Sequence, residues 1–376
     1  MIYLDSAATT LQKPPEVLRA MRTAFSSFGG AGRGSHQASM NAANAIYDLR
    51  ETACEMFGAS SPEQVILTHN ATHALNIAIK GLAKPGGHVL VSGFEHNAVM
   101  RPLKALESQN IRYTVVKTPL FDPEESLKNF WKMLSGDVSL VICTHASNVF
   151  GTVMPVAELS KMCRDRGVPM IIDASQTAGI LPINMPELHG AVLCMPGHKA
   201  LYGPQGTGLL ILPKGMSLPP LIEGGTGSNS LQFDMPEELP DALEAGTLNA
   251  WGAIGLLEGM RFARARQKEI GLHERALMTE LLGLLAGIRT VKCYSHPKHQ
   301  IGVLSMTFGG IDVEQAASGL ADAEIAVRAG LQCAALAHMT AGTYPAGTLR
   351  VSLSAFSTTG EIRTFVRRLK EILSKM

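Results

Sequence analysis

Four polar side chains that could take part in catalysis or ligand binding each come shortly after a short apolar run of the chain. His96 follows HVLVS, Asn148 follows LVICT, Asp173 follows PMII and Lys199 follows AVLCM. Apolar runs of this kind indicate buried strands, and in open α/β sheets ligands bind beyond the carboxyl ends of the strands. Since the four residues are far apart in the chain, the pattern predicts that folding collects an imidazole, an amide, a carboxylate and an amine in one site.

An amine and a carboxylate in such a site are what pyridoxal phosphate chemistry requires. A lysine forms a Schiff base with the cofactor's aldehyde, and an acid keeps the pyridine nitrogen protonated so that the ring acts as an electron sink. Lys199 and Asp173 suit these two roles. His96 can stack on the ring and relay a proton, and Gln176 or Asn148 can hydrogen-bond the ring oxygen. We therefore predict a pyridoxal 5'-phosphate site.

The segment NATHALN, which opens a predicted helix near Ala71, is the candidate for the phosphate. The backbone N–H groups of Ala71 and Thr72 lie at the helix start, where anions bind. Thr72 could instead simply cap the helix. Taken singly, a strand-ending aspartate, a solvated lysine or a structural histidine would also be ordinary, so only the joint pattern favours the site. No GxGxxG follows the first strand of the sheet and no GxxxxGK[ST] is present, so nucleotide binding is not indicated.

Cys333, in RAGLQCA, can be read in two ways. Cysteine is among the most buried residue types, which favours a small apolar core residue. A thiolate nucleophile beside the predicted cofactor site is the alternative, and a free thiol titrates near ~8.5. The segment alone does not decide between the two.

Composition narrows the class of protein. The 376 residues carry 33 Lys and Arg against 32 Asp and Glu, a net charge of +1, which gives no electrostatic reason to expect nucleic acid or an acidic membrane as partner. The six cysteines form no CxxC pair and the twelve histidines no HExxH, so we predict neither a disulfide framework nor a metal site. MIYLDSAATT lacks the features of a secretory signal, and a reducing cytoplasm is the expected compartment.

Strand-like and helix-like segments alternate through the first two thirds of the chain, which predicts an α/β fold with a mostly parallel sheet buried on both faces. The predicted strands are 64–67, 88–91, 140–144, 169–172, 191–194 and 208–212. The final part changes to a long helix from 250, strands in GVLSMTF, EIAVRAG and TLRVSLS, and a last helix with a capping-box signature at Thr358 and Glu361. We expect a smaller α+β domain there.

Eight motifs occur in the order found in class V, fold-type-I pyridoxal phosphate enzymes of the cysteine desulfurase and selenocysteine lyase group, which the chain resembles over nearly its whole length. They are YLDSAATT, THNATHALN, EHNAV, SNVFGT, DASQTAG, GHKALYGPQGTG, EAGTLN and RAGLQC. The resemblance implies a fold-type-I transferase with a mostly parallel, seven-stranded-type sheet. It implies a large cofactor-binding domain at 15–250 and a small α+β domain at 251–376 joined by segment 1–14.

The resemblance also implies a homodimer with active sites at the subunit interface. It adds His198 to the cofactor contacts and suggests that Thr247 reaches the phosphate of the partner subunit's cofactor. Arg33 is expected to act across the dimer, Arg350 to hold the substrate α-carboxylate, and Arg328 to stabilise the thiolate or bind on the phosphate side.

The activity that the resemblance implies is desulfuration of L-cysteine to L-alanine, with the sulfur passing to Cys333 as a persulfide and then to an acceptor, for which a protein is one candidate. Selenocysteine presents the same amine and carboxylate, so a selenocysteine lyase stays open. Two further alternatives are a class V aminotransferase or other pyridoxal lyase in which Cys333 is not catalytic, and an inactive homologue. Where many relatives with a short loop carry histidines before this cysteine, this chain has Leu331 and Gln332.

Overall fold

The computed structural model describes residues 1–32, 34–229 and 231–376. The strands of the described residues are β1 Ile2–Tyr3, β2 Val65–Thr68, β3 His88–Val91, β4 Arg112–Val115, β5 Val138–Thr144, β6 Met170–Asp173, β7 Val192–Pro196, β8 Gly208–Ile211, β9 Val291–Tyr294, β10 Val303–Phe308, β11 Ile325–Ala326 and β12 Leu349–Ser352. The helices are α1 Pro15–Ser27, α2 Gln37–Phe57, α3 Ala71–Leu82, α4 Asn97–Leu106, α5 Pro123–Met133, α6 Val156–Asp165, α7 Ala250–Leu285, α8 Val313–Asp322, α9 Ala335–Ala341 and α10 Thr359–Leu373.

A seven-stranded sheet in the order β2-β8-β7-β6-β5-β3-β4 forms the centre of the larger part. β3 to β7 run parallel to one another, and β8 is antiparallel to both β2 and β7. The α/β class and the mostly parallel sheet are thereby confirmed. All six predicted strands of this sheet are present, but β4 was missed because RYTV is an edge strand with a solvent-exposed arginine and no continuous apolar run.

Successive residues of β5 explain why the strands read as unbroken apolar segments. Leu140 and Ile142 belong to a core cluster that includes α3 and α4 on one face, whereas Val141 and Cys143 belong to a cluster that includes α2 and α6 on the other. Side chains alternate across a sheet, so a strand covered on both faces is apolar at every position. Because β3 to β7 run in the same direction, their carboxyl ends lie along one edge of the sheet.

The C-terminal part has an antiparallel sheet, β12-β10-β9, and a third core cluster. β1 pairs with β11, which links the chain's start to this part. The capping box of α10 is confirmed, with the Thr358 side chain accepting from the Glu361 N–H and the Glu361 carboxylate accepting from the Thr358 N–H. The long helix α7 contributes to both the large and the C-terminal cores. We propose the domain division near residue 250, where α7 begins.

Two segments differ from the expectation. The stretch after Cys333, AALAHMTAGTYPAGT, is rich in small residues, which predicts a loop, but it contains α9. Ala, Leu and Met are good helix formers, and Gly342 ends the helix in the left-handed conformation. The short strand β9 was not predicted. Across the described ranges, no helix is long and apolar enough to cross a membrane.

Candidate active site

A cavity of about 220 Å³ lies at the carboxyl ends of the parallel strands. It collects eight of the residues that the sequence singles out: Ala71, Thr72, His96, Asn148, Asp173, Gln176, His198 and Lys199. Asp173 is the last residue of β6, and Lys199 comes in the turn after β7. The convergence predicted from strand ends is therefore present in the fold.

Lys199 provides an amine that can lose its proton near neutral pH. Its enclosure in the cavity wall lowers the pKa to about 8, against a partial opposing effect of the Asp173 carboxylate and a further lowering by Arg350. Asp173 is buried, and its Oδ1 accepts a hydrogen bond from the Ser175 N–H at 2.9 Å. The pair gives the cavity a nucleophilic amine and a fixed carboxylate.

His96 occupies the N-cap of α4, directly after β3 and the turn that follows it. Its Nδ1 accepts a hydrogen bond from the Ala98 N–H at 3.0 Å, so in the neutral ring the proton is on Nε2. Burial and then the positive charge of Lys199 lower the pKa of His96. The ring is therefore a neutral imidazole with its N–H available on the side away from the helix.

The first turn of α3 lines the opposite end of the cavity. The cap of this helix is Asn70, whose Oδ1 accepts from the His73 N–H at 2.9 Å, so the alternative that Thr72 is the cap is wrong. The N–H groups of Ala71 and Thr72 lie in the turn for which a helix offers no carbonyl partner. An anion can use both, as the phosphate prediction requires.

Asn148 and Gln176 supply amides to the same wall. Gln176 Nε2 donates to the Ala7 carbonyl at 3.0 Å, and Asn148 Nδ2 donates to the Gln332 carbonyl at 2.8 Å. The Asn148 Oδ1 atom is buried and has no hydrogen-bond partner among the described residues. A buried acceptor without a partner is costly, so this atom is suited to a ligand that brings a donor. The residues present fit a polar, anionic cofactor with an aldehyde.

Cys333 opens onto a groove next to the cavity rather than onto the cavity itself. The groove, of about 320 Å³, shares Thr72, His96 and Ala98 with the cavity wall. Cys333 is exposed, whereas Cys143, Cys163 and Cys194 are buried. The thiol is therefore not a core residue.

Arg350 and Arg328 meet at one carboxylate, that of Asp5. Arg350 is 1% exposed and donates from Nη2 to Asp5 Oδ1 at 2.6 Å and from Nη1 to the Asn148 carbonyl at 2.8 Å. The half-exposed Arg328 side chain binds Asp5 Oδ2 from Nε at 3.0 Å and from Nη2 at 2.7 Å. Neither arginine lines the cavity, although the charge of Arg350 acts on both Lys199 and His96. The buried Arg350 Nε has no partner within the described ranges.

Two further predicted residues lie elsewhere. Thr247 is exposed and lines a different cavity, together with His69 and His73. Arg33 is outside the described residues.

Sequence reasoning missed three residues at or near the site. Asp5 was not singled out because nothing in its spacing links it to arginines 323 and 345 residues away. Lys13 donates to Thr10 Oγ1 at 2.6 Å and to the His198 carbonyl at 3.0 Å, and burial lowers its pKa to about 8. Glu95 is fully buried and accepts from the Thr144 N–H at 2.7 Å, and burial raises its pKa to about 8. Its place beside His96 after a strand was the available signal for it.

The Aminotransferase class-V family model matches residues 2–365, and the chain belongs to that family. A protein named probable cysteine desulfurase from Methanothermobacter thermautotrophicus is 31% identical over 384 residues, covering 99% of this chain and 94% of the relative. Another, from Mycolicibacterium paratuberculosis, is 29% identical and covers 99% of this chain, which spans 55% of that longer relative. The apo structure of cysteine desulfurase from Thermococcus onnurineus NA1 superposes with a TM-score of 0.92 at 28% identity, covering all of this chain and 95% of that one.

Proposed function

We propose that this protein is a pyridoxal 5'-phosphate-dependent cysteine desulfurase that converts L-cysteine to L-alanine and takes up the sulfur on Cys333. One observation carries the proposal: the cavity that holds Lys199 and Asp173 continues, through Thr72 and His96, into the groove where Cys333 is exposed. An aminotransferase needs the first part but not the thiol. The desulfurase names of the relatives support the same reading.

The cofactor would be held by groups from both ends of the cavity. Lys199 supplies the amine for its aldehyde, Asp173 the acid for its pyridine nitrogen, and the first turn of α3 the N–H groups for its phosphate. His198, Gln176 and Asn148 complete the polar wall. When bound, the cofactor supplies an electron sink that lets the substrate's bonds near the amine break.

The protein's own residues divide the proton and sulfur transfers. The depressed pKa of Lys199 makes its amine able to accept a proton, and His96 can donate one from Nε2. The Cys333 thiolate attacks the substrate sulfur, so an S–S bond forms as the substrate C–S bond breaks. The electron pair of that bond stays with the carbon, which becomes the methyl group of alanine by taking up one proton, and no outside oxidant is needed.

We assign the substrate α-carboxylate to the Arg350 region. The guanidinium is buried beside Asn148, and its Nε lacks a partner in the described part of the chain. Asp5 neutralises one of the two arginines that contact it, so the cluster retains one positive charge for one carboxylate. This balance favours an amino acid with a single carboxylate.

The sulfur acceptor would approach through the groove outside Cys333. Lys80 and Arg101 line it, both are exposed, and neither forms an ion pair with any residue the structure describes. Two unpaired cations favour an acceptor that presents carboxylates around its thiol, such as an acidic segment of a protein. The six cysteines are free, which suits work in a reducing compartment such as the cytoplasm.

A homodimer would complete the site. Exposed apolar side chains on α1 and at the start of α7, among them Leu18, Phe25 and Trp251, form a candidate interface, and the Phe25 and Trp251 rings lie 5.0 Å apart. The exposure of Thr247 suits a contact with the partner subunit's cofactor. Arg33 keeps its predicted role across the dimer.

Product analysis tests the proposed function. Cofactor-loaded protein given L-cysteine and an added thiol reductant should release alanine and sulfide in equal amounts. Cys333→Ala should keep the cofactor's visible absorbance and lose sulfide release by about tenfold or more, while the half-buried control Cys293→Ala should keep both. Pyruvate with an aminated acceptor would assign transamination instead, and undiminished sulfide from Cys333→Ala would remove Cys333 from the reaction.

A further inference from the structure

The backbone that carries the thiol is in an unusual conformation at two consecutive residues. Gln332 and Cys333 have φ values of +43° and +56°. Residues other than glycine adopt this left-handed region rarely, and they persist there only when the surroundings hold them. The turn is closed by a hydrogen bond from the Ala334 N–H to the Leu331 carbonyl at 2.8 Å.

The side chain of Gln332 supplies much of that hold. It is 8% exposed, and its Nε2 donates to the Thr348 carbonyl at 2.8 Å and to the Arg328 carbonyl at 3.4 Å. Because two carbonyls face the nitrogen, the oxygen must be the atom that faces His338, whose Nε2 lies 2.9 Å away. Both ends of the amide are thus used.

His338 is fixed in turn as a neutral donor. Its Nε2 must carry the proton that it donates to Gln332, so its Nδ1 accepts from the Thr343 hydroxyl at 2.7 Å. The ring is buried, and burial lowers its pKa to about 4. The chain Thr343, His338, Gln332 therefore stays in one hydrogen-bonding arrangement at neutral pH.

The turn is also tied to the cofactor cavity through its carbonyls. The Gln332 carbonyl accepts from Asn148 Nδ2 at 2.8 Å, and the Cys333 carbonyl accepts from the Asn97 N–H at 2.9 Å. Asn97 follows His96 directly at the start of α4. The thiol is consequently held at a set position relative to the imidazole and the cavity wall.

We propose that Gln332 is a positioning residue for Cys333. The hydrogen bonds that its side-chain amide makes to Thr348 and His338 hold the left-handed turn that points the thiol into the groove. Gln332 does not itself contact the reacting atoms, because it is not among the described residues that line the cavity or the groove. The inference rests on the desulfurase function proposed above. A neutral amide is required at this position. A carboxylate would place its negative charge against the carbonyl oxygens of Thr348 and Arg328, and an apolar side chain would leave these two carbonyls and His338 Nε2 without a partner.

Gln332→Met tests the role, since methionine keeps the length of the side chain and makes none of these bonds. The matched control is Gln300→Met: Gln300 donates to the carbonyls of Phe150, Tyr294 and Val303 and accepts from the His296 N–H, but it lies in another loop. We expect Gln332→Met to lower kcat for alanine formation about tenfold, with KM for L-cysteine and the Kd for pyridoxal 5'-phosphate within about twofold of wild type. Exchange of the Ala334 amide with deuterium should become about tenfold faster. Gln300→Met should leave all four quantities near wild type.

His338→Leu removes the donor to the Gln332 oxygen, together with the acceptor of the Thr343 hydroxyl, and leaves the other hydrogen bonds of Gln332 in place. It keeps the test available if Gln332→Met does not fold. It should lower kcat about threefold with the same unchanged KM. The double variant should match Gln332→Met alone, because His338 acts on the turn only through its hydrogen bond to Gln332. An unchanged kcat, a parallel loss of cofactor affinity, or Ala334 exchange at the wild-type rate would overturn the proposal. A wild-type protein that forms no alanine would refute the desulfurase function instead, while the exchange measurement would still report on the turn.

Discussion

Individual side chains at this site are defined by what surrounds them more than by their type. Lys199 is one of 33 lysines and arginines in the chain, and its residue type alone does not make it reactive. Its enclosure in the cavity wall lowers its pKa to about 8. Of the six cysteines, three are buried, and burial raises the pKa of Cys143 and Cys194 well above the ordinary value, which makes them inert thiols. Cys333 differs in being exposed at the groove.

The pH dependence of cofactor loading tests the assignment of Lys199. The reactive form is the neutral amine, so the rate at which the protein without cofactor combines with pyridoxal 5'-phosphate should rise as pH passes through about 8 and level off above it. Stopped-flow absorbance in the visible range measures this rate, and Lys199→Ala serves as the blank. A rate that keeps rising to the ordinary lysine value of 10.5 would contradict the depressed pKa.

Sequence alone could predict the groups that line the cavity but not the groups that hold them in place. Lys199, Asp173 and His96 could be found because each follows a strand, and strand ends converge by the geometry of a parallel sheet. Asp5 and Gln332 act through partners brought close only by tertiary folding, and no periodicity or spacing encodes such contacts. The placement of the Cys333 side chain in the groove beside the cavity likewise depends on two residues in the left-handed conformation, which the sequence RAGLQCA does not predict.

The site residues lie at the ends of secondary-structure elements, and these ends fix their positions. The cavity is bounded by the carboxyl ends of β5 and β6 and by the N-termini of α3 and α4, whose caps are Asn70 and His96. Strands covered on both faces were predictable because every position is apolar. The edge strand β4 and the helix α9 could not be predicted in this way. In β4 apolar residues alternate with polar ones, and α9 is a short helix that directly follows a turn.

Helix α7 carries a buried carboxyl group whose titration should appear in the protein's stability. Glu274 is 3% exposed, and burial raises its pKa from 4.5 to about 8. The unfolded chain ionises this group above 4.5, so its contribution to stability is full below that pH and is lost as pH rises through about 8. The maximum slope is about 1.4 kcal/mol per pH unit.

Glu274→Gln, which imitates the protonated group, should therefore raise Tm relative to wild type at pH 8, and the difference should shrink toward pH 5. Thermal unfolding across this pH range measures the effect. Glu269→Gln, on the exposed side of the same helix, should leave Tm unchanged at every pH. A constant Tm difference between Glu274→Gln and wild type would show that Glu274 does not titrate as described.

At the scale of the whole molecule, the proposed homodimer would complete the site. Thr247 lies outside the cavity of its own chain, and the apolar side chains of α1 and the α7 start are exposed in it. The two tryptophans offer a matched pair, since Trp251 is 45% exposed on the proposed interface and Trp131 is 60% exposed on α5. A buried charge at an interface is strongly unfavourable.

Trp251→Glu should accordingly sediment as a monomer and bind pyridoxal 5'-phosphate about tenfold or more weakly, because Thr247 of a second subunit is lost from the phosphate. Trp131→Glu should remain a dimer with wild-type affinity. Analytical ultracentrifugation and cofactor titration give the two quantities. A dimeric Trp251→Glu would reject this interface, and a monomer with wild-type affinity would reject the role of Thr247.

The most direct measurement of the central claim is the mass of the peptide that contains Cys333. Cofactor-loaded protein treated with L-cysteine, trapped with an alkylating reagent and digested should yield this peptide with one additional sulfur atom. The peptides of the other five cysteines should stay unchanged, and Lys199→Ala protein should show no gain at all. Alanine formation with no extra sulfur on Cys333, or with the sulfur on another cysteine, would contradict the account.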